Sequence, residues 1–186
     1  MLSFKYLRGV YFERMEGIPG IYLIPDGRDR KNFRLIGSYF DGKTLQFQII
    51  RKLKEMNKEE GNYLQLHHII EPIHFAEIDF MGQLSKWIKY ELPCVFLSRK
   101  EHLFINHYLH ISPEDEKFRD IPSTDWIKKS NATAEKAKDA GFHGALLMDW
   151  EKIQSLYQAA YEGDQYLQKI ARNVLEEAKK WLPKHE

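Results

Sequence analysis

Strand signals and helix signals occupy different parts of this chain, and their separation is the strongest constraint on its fold. Three segments of the first forty residues, "FKYLRGVYFERM", "GIYLI" and "FRLIGSYF", have the aromatic and β-branched content of strands. The intervening "PDGRDRKN" has the turn chemistry of a hairpin tip. Over residues 43–58 apolar residues recur every three or four positions, which predicts an amphipathic helix. We therefore expect an α+β protein.

The rest of the chain continues this division. "LQLHHII" and "PCVFL" are predicted to be short buried strands, and Ser98 with Glu101 has capping-box spacing that begins a helix ending near His110. "ISPEDEKFRDIPS" is predicted to be a linker. Helices are predicted at roughly 124–140, 149–162 and 164–182. We expect an α+β region over residues 1–110 and a mainly helical region over residues 111–186, packed together as one unit.

The composition excludes several classes of protein. With 43% apolar and 30% charged residues, the chain has the composition of an ordinary soluble globular protein. No apolar run approaches the roughly 20 residues of a membrane helix. The single cysteine, Cys94, rules out an intrachain disulfide and is expected to pack in the core. The N-terminus lacks the features of a secretory signal, so a cytoplasmic protein with no membrane partner is expected.

Charge is distributed unevenly along the chain. Residues 1–58 carry twelve Lys and Arg against six Asp and Glu, whereas the net charge of the whole chain is only +1. A basic segment of this kind is compatible with contacts to nucleic-acid phosphates. The residues predicted to make them are Arg28, Arg30, Lys31 and Arg34, which cluster at the hairpin tip. The alternative interpretation is a solvated loop.

Two adjacent histidines in an apolar strand indicate chemistry. His67 and His68 lie in "NYLQLHHIIEP", and six of the eight histidines fall between residues 67 and 110. Successive side chains of a strand point to opposite faces, so at least one of the two should meet solvent, a metal or a bend. Imidazoles from a strand and a helix that converge on one point bind a divalent metal. On the predicted helix, His102 and Asn106 share a face, whereas His107 lies about 100° further round.

The stretch "LQLHHIIEPIHF … ELPCVFLSRKEHLFINHYL" resembles the HNH nuclease module, also called the His-Me finger or ββα-metal module. The resemblance covers residues 62–110, and it is similar in particular to the Leu-His-His nucleases of bacterial polymorphic toxins. It implies a central ββα-metal module between the N-terminal hairpin region with its helix and a C-terminal helical layer. It also implies a metal-dependent endonuclease, toxin-like or associated with mobile elements. Its substrate would be nucleic acid, expected to be DNA.

Carried over residue by residue, the resemblance assigns roles in phosphodiester hydrolysis. It makes His68 the general base that activates water, and His67 and His102 metal ligands, with Asn106 or His107 completing the set. The implied cofactor is a divalent ion, Mg²⁺, Mn²⁺, Ni²⁺ or Zn²⁺. A neutral imidazole accepts a proton near pH 7, and the metal stabilises charge that develops on the phosphate. A toxin of this kind also implies an inhibitor or immunity protein as a partner.

One departure from the module keeps a second class of function open. The middle Asn of the module, which orients the base, is replaced here by Pro93. The alternative is therefore a non-catalytic interaction or immunity-type protein that retains a nuclease-like scaffold. His74 follows a proline in the connection after the His-His strand, and we predict a surface position where it contacts phosphate.

Overall fold

The computed structural model describes residues 2–29, 31–55, 65–75, 84–98, 101–102, 105 and 150–180. The described strands are β1 (Glu13–Arg14), β2 (Ile21–Pro25), β3 (Phe33–Ser38), β4 (Gln65–His68) and β5 (Pro93–Leu97). The helices with defined bounds are α1 (Tyr39–Glu55), α2 (Leu84–Tyr90), α3 (Trp150–Ala160) and α4 (Gln165–Lys179). Short 3₁₀ helices lie at Phe4–Leu7 and Pro72–Phe75. The α+β class predicted from the sequence is confirmed.

The described strands form one antiparallel sheet in the order β1-β2-β3-β5-β4. β2 and β3 form the predicted hairpin. β5 lies between β3 and β4 and pairs with both, so β4 is an edge strand of the described sheet. In the register of β4 with β5, His67 lies opposite Val95 and His68 lies opposite Cys94. Because side chains alternate along a strand, the two histidines belong to opposite faces of the sheet.

Helices cover both faces of the sheet. On one face, Leu45 of α1 packs with Ile21 and Phe96 in a small apolar cluster. On the other face, α3, α4 and the 3₁₀ helix Phe4–Leu7 contribute to the larger core, together with alternate residues of β2, β3 and β5. None of the helices in the described parts of the chain has the length and apolar character required to span a bilayer.

Helix α1 begins four residues earlier than the sequence pattern predicts. The predicted strand 33–40 ends at Ser38, and Asp41 and Gly42, which precede the predicted helix, lie within the first turn of α1. The Ser38 hydroxyl accepts from the Asp41 backbone N–H (3.1 Å) and donates to the Asp41 carboxylate (2.7 Å). This N-terminal cap satisfies donors that the first helical turn leaves open. Gly42 fits because a Cβ there would lie 2.6 Å from a methyl carbon of Leu66.

Other predicted elements had mixed outcomes. The capping box is confirmed, since the Glu101 carboxylate accepts from the Ser98 backbone N–H (3.0 Å) and the Ser98 hydroxyl accepts from the Glu101 backbone N–H (3.2 Å). The first predicted strand is wrong at Phe4–Leu7, where the chain forms a 3₁₀ helix packed against α4. The predicted break at Gly163 is confirmed by its φ of +80° between α3 and α4. The predicted linker and the helix at 124–140 lie outside the described residues.

A buried arginine joins three separate parts of the fold. Arg34 of β3 is 6% exposed and makes ion pairs with Asp26 (3.0 Å), Glu101 (2.8 Å) and Asp164 (2.8 Å). Asp164 also caps α4 by accepting from the Leu167 backbone N–H at 3.1 Å. The hairpin, the helix after Ser98 and the start of α4 therefore meet at one guanidinium.

The first prediction concerns this arginine. Replacing Arg34→Met leaves the buried Asp164 carboxylate and the half-buried Asp26 and Glu101 without their counter-charge, so the free energy of unfolding should fall by about 3–5 kcal/mol. Urea denaturation followed by circular dichroism measures the loss. Arg8→Met is the matched control, because Arg8 pairs with Glu176 at the surface and should cost about 1 kcal/mol or less. Equal losses in the two variants would contradict a central role for Arg34.

Candidate functional site

The structure brings together two of the histidines that the sequence singled out. The ring centres of His67 on β4 and His102 on the helix after Ser98 are 5.2 Å apart, with the planes at 85°. The His67 Nδ1 atom faces the Glu71 carboxylate at 3.8 Å. His67 is buried and His102 is half-buried, so the pair lies at the margin of the core on the α3 and α4 side of the sheet.

The position of His102 follows from its neighbour in sequence. The capping box between Ser98 and Glu101 begins the helix, and the His102 backbone N–H donates to the Ser98 carbonyl at 2.9 Å. Glu101 is held in turn by Arg34. Burial alone would raise the pKa of Glu101, but the Ser98 backbone N–H and the Arg34 guanidinium hold that pKa below its ordinary value. A carboxylate that stays ionised keeps this first helical turn attached to β3.

Two tyrosines of the C-terminal region hold the segment that follows β4. The Tyr161 hydroxyl donates to the Ile69 carbonyl at 2.7 Å, and the Tyr157 hydroxyl accepts from the Glu71 backbone N–H at 2.6 Å. Both rings are almost fully buried, and hydrogen bonds in such surroundings are costly to break. Helix α3 and the residue after it therefore set the course of the chain from His67 to Glu71.

The Glu71 carboxyl lies in surroundings that disfavour its charge. Its side chain retains 25% of its exposed surface, yet burial raises its pKa to about 7. The same surroundings raise the pKa values of Tyr157 and Tyr161 well above the ordinary value, mainly through burial and then through the nearby Glu71 charge. Strongly shifted groups gathered around a pair of imidazoles mark this region as a candidate site.

His68, the predicted general base, does not join this group. Its ring stacks on Tyr39 of α1 at 5.1 Å between ring centres, on the other face of the sheet. Burial, together with the smaller effect of the Lys43 ammonium, lowers the pKa of His68 to about 3. Neither His67 nor His68 is exposed to solvent, which leaves a metal or a bend as the expected surroundings of one of them. The sheet separates His68 from His67 and His102.

The residues predicted to contact nucleic acid occupy different surroundings. Arg34 is buried, and Arg28 donates to the carbonyls of Glu162 (3.0 Å) and Ala160 (3.4 Å) at the end of α3. His74 is buried against Tyr157 (5.6 Å between ring centres), contrary to the predicted surface position. Lys31 is exposed, and Arg30 lies outside the described residues.

The predicted metal centre is only partly represented. His67 and His102 supply two imidazoles to one region, but Asn106 and His107, the predicted third donors, lie outside the described residues. Across the part of the chain that the structure describes, no group of three or more His, Cys, Asp or Glu side chains is arranged to hold a metal ion. The described residues therefore do not complete a ligand set.

Sequence reasoning missed Glu71, Tyr157 and Tyr161 as parts of this site. Glu71 carries a weak signal, since it follows His67 by four residues and directly precedes a proline. The tyrosines carry no such signal in the sequence, because their four-residue spacing is that of ordinary core residues of a helix. Only the packing of α3 against the sheet brings them to the segment after β4.

Neither a family model nor a curated protein nor a solved structure matches this chain. The site is therefore interpreted from its own geometry, and the resemblance to the HNH module stays a prediction.

The second prediction concerns the buried His68. Its pKa is about 3 in the folded protein and about 6.5 in the unfolded chain, so only the unfolded chain takes up a proton between these values. The contribution of His68 to stability is therefore present above pH 6.5 and is lost as the pH falls toward 3. We expect this contribution to decrease by about 1.4 kcal/mol per pH unit within that window.

The measurement compares wild type with His68→Phe, a variant that keeps a ring against Tyr39. Urea denaturation in EDTA at pH 7, 6, 5 and 4 isolates the histidine, because other groups titrate alike in both proteins. The stability of wild type should fall more steeply than that of the variant as the pH decreases. Parallel pH profiles would contradict burial of a neutral imidazole at this position.

Proposed function

We propose that this protein is a metal-dependent endonuclease in which His67 and His102 bind the divalent ion. Its reaction is the hydrolysis of phosphodiester bonds in nucleic acid, with DNA as the expected polymer. The observation that carries the proposal is the convergence of these two rings from a strand and from a capped helix. The order of strand, antiparallel strand and capped helix in residues 65–102 supports it, because that is the order of a ββα module.

The ring separation matches what one bound ion requires. An imidazole nitrogen binds zinc at about 2.0–2.1 Å, which places each ring centre about 3.2 Å from the ion. Two such rings at a tetrahedral angle lie about 5.2 Å apart, and the observed distance is 5.2 Å. The same separation also occurs in edge-to-face aromatic contacts. A metal-binding measurement distinguishes the two explanations.

Glu71 has a supporting role in this proposal. Its carboxylate faces the Nδ1 atom of His67, so the Nε2 atom on the other side of the ring would be the nitrogen that binds the metal. A carboxylate next to the distal nitrogen of a ligand fixes the orientation of the ring and increases its basicity. Tyr157 holds the backbone of Glu71 and thereby keeps this carboxylate in place.

The protein side chains supply positioning rather than bond making. His67 and His102 would hold the ion, and the Arg34–Glu101 ion pair maintains the helical turn from which His102 projects. A divalent ion held by these two imidazoles would supply Lewis-acid chemistry for water and for a phosphate oxygen. His68, across the sheet, is left with a packing role against Tyr39.

The third prediction tests the two proposed ligands. His67→Ala and His102→Ala should each reduce the affinity for Zn²⁺, Ni²⁺ or Mn²⁺ by at least about tenfold, because each removes one donor. Both variants should also lose metal-dependent nicking of supercoiled plasmid. Isothermal titration calorimetry measures the affinity. Nicking is assayed with Mg²⁺, Mn²⁺, Ni²⁺ and Zn²⁺ in turn, and cleavage of an RNA substrate is assayed with the same ions.

His68→Phe is the matched control, since it replaces the adjacent histidine on the other face. It should retain metal affinity and cleavage. Loss of cleavage with intact metal affinity in this variant would instead support the role of His68 as the base. If wild type cleaves neither DNA nor RNA with any of the metals, the enzyme is excluded and the interaction or immunity-type protein becomes the better interpretation.

A further inference from the structure

Helix α1 packs on the face of the sheet away from the His67–His102 pair, whereas α2 buries Trp87 and Ile88 in the larger core. Together the exposed sides of these two helices form an aromatic and basic surface. We call it the α1–α2 surface, and it consists of Phe40, Phe47, Arg51, Lys86, Lys89 and Tyr90. Its three aromatic residues are exposed: Phe40 by 45%, Phe47 by 69% and Tyr90 by 39%. Burying such rings normally contributes to stability, so three of them left exposed together indicate an interaction surface.

The two helices bring these residues together in a regular way. Phe40, Phe47 and Arg51 recur at seven and four residues along α1 and therefore share one side of that helix. The Phe40 and Tyr90 rings are in contact at 5.4 Å between centres. The Lys89 ammonium lies over both, at 5.5 Å from the centre of Phe40 and 5.0 Å from that of Tyr90. Two rings and a cation therefore lie together at the point where the two helices meet.

The charge of this surface has one sign. Residues 42–54 of α1 and the whole of α2 contain no acidic residue. Asp41 and Glu91 directly follow Phe40 and Tyr90 in sequence, and their side chains contact Ser38 in the helix cap and Lys5 (3.7 Å). Helices α1 and α2 together carry six Lys and Arg against two Asp and Glu, Asp41 and Glu55. An excess of cations attracts a polyanion, and the release of its counterions contributes to binding.

From these features we infer that the α1–α2 surface binds a single-stranded polynucleotide. The aromatic rings would stack on unpaired bases, and Arg51, Lys86 and Lys89 would contact phosphates, as is typical of single-strand binding surfaces. A duplex offers no free base faces to these rings. An anionic membrane is a poorer match, because a membrane-surface helix presents a continuous apolar face rather than rings with cations beside them.

This inference rests on the proposed function for its choice of polymer and extends it to a second binding surface. Helix α1 packs on the face of the sheet opposite to the His67–His102 pair. Strand β4 lies at the sheet edge, so a polymer on the α1–α2 surface would reach the pair around that edge. The surface would therefore contribute to the binding of long strands and not to that of a dinucleotide.

The fourth prediction is tested with the full chain and fluorescein-labelled dT20 and rU20, by fluorescence anisotropy in EDTA. The triple variant Arg51→Glu, Lys86→Glu and Lys89→Glu should raise the Kd at least tenfold. It should also reduce the slope of log K against log salt concentration by about 2, since each lost phosphate contact accounts for about 0.7 on a single strand. The two oligonucleotides distinguish DNA from RNA.

The matched control has the same change of charge at exposed positions elsewhere, Arg14→Glu, Arg172→Glu and Lys179→Glu. It should leave the Kd within about twofold. Equal weakening by the two triple variants would overturn the inference, since it would show dependence on net charge alone. Binding to anionic phosphatidylserine vesicles but not to the oligonucleotides would overturn it in favour of a membrane.

Stacking is tested separately with Phe47→Ala, which should raise the Kd about fivefold or more without changing the salt slope. Phe33→Ala is the control, because Phe33 is similarly exposed, at 55%, but lies on the hairpin. An unchanged Kd in Phe47→Ala would overturn the stacking role. All binding is measured without metal, so a failure of wild type to cleave nucleic acid leaves this inference standing. If wild type cleaves and the surface variants bind the oligonucleotides as tightly as wild type, the inference is overturned and the proposed nuclease function is not.

Discussion

The buried Arg34 guanidinium is the interaction on which the arrangement of this protein depends. Its nitrogens reach Asp26, Glu101 and Asp164, which belong to the hairpin, to the helix after Ser98 and to the cap of α4. A buried cation needs several good acceptors to offset its desolvation. Burial of Arg34 therefore requires that all three carboxylates lie next to its guanidinium. That requirement links elements that are distant in sequence and gives them one relative arrangement.

The candidate site is a consequence of this linkage. Glu101 precedes His102 in sequence, so the ion pair that fixes Glu101 also fixes the turn from which His102 projects. The opposing ring belongs to β4, and the chain beyond β4 is held by the hydroxyls of Tyr157 and Tyr161. The segment after His67 is thus held by the C-terminal region, and the helical turn that carries His102 is held by Arg34 of the hairpin. The site depends on the whole fold and not on a local motif.

Sequence reasoning succeeded where hydrogen bonds are local. The hairpin of β2 and β3, the strand β5, the capping box at Ser98 and the break at Gly163 were all predicted, because each depends on residues a few positions apart. It failed at the start of α1, although Ser38 and Asp41 have the spacing of a helix cap. There the strand-like residues Tyr39 and Phe40 outweighed the cap signal, and packing of the helix on the sheet decided the outcome.

By itself, the sequence determined the α+β class, most of the local elements in the described residues, and the choice of His67 and His102 as residues to consider together. Only the tertiary structure decided that His68 lies across the sheet, that Arg34 is buried, and that Glu71 belongs to the site. The physical reason is the range of the interactions. Alternation and capping act over two to four residues and are visible in the sequence. Burial and ion pairing depend on which surfaces meet, and that is settled by the packing of the whole chain.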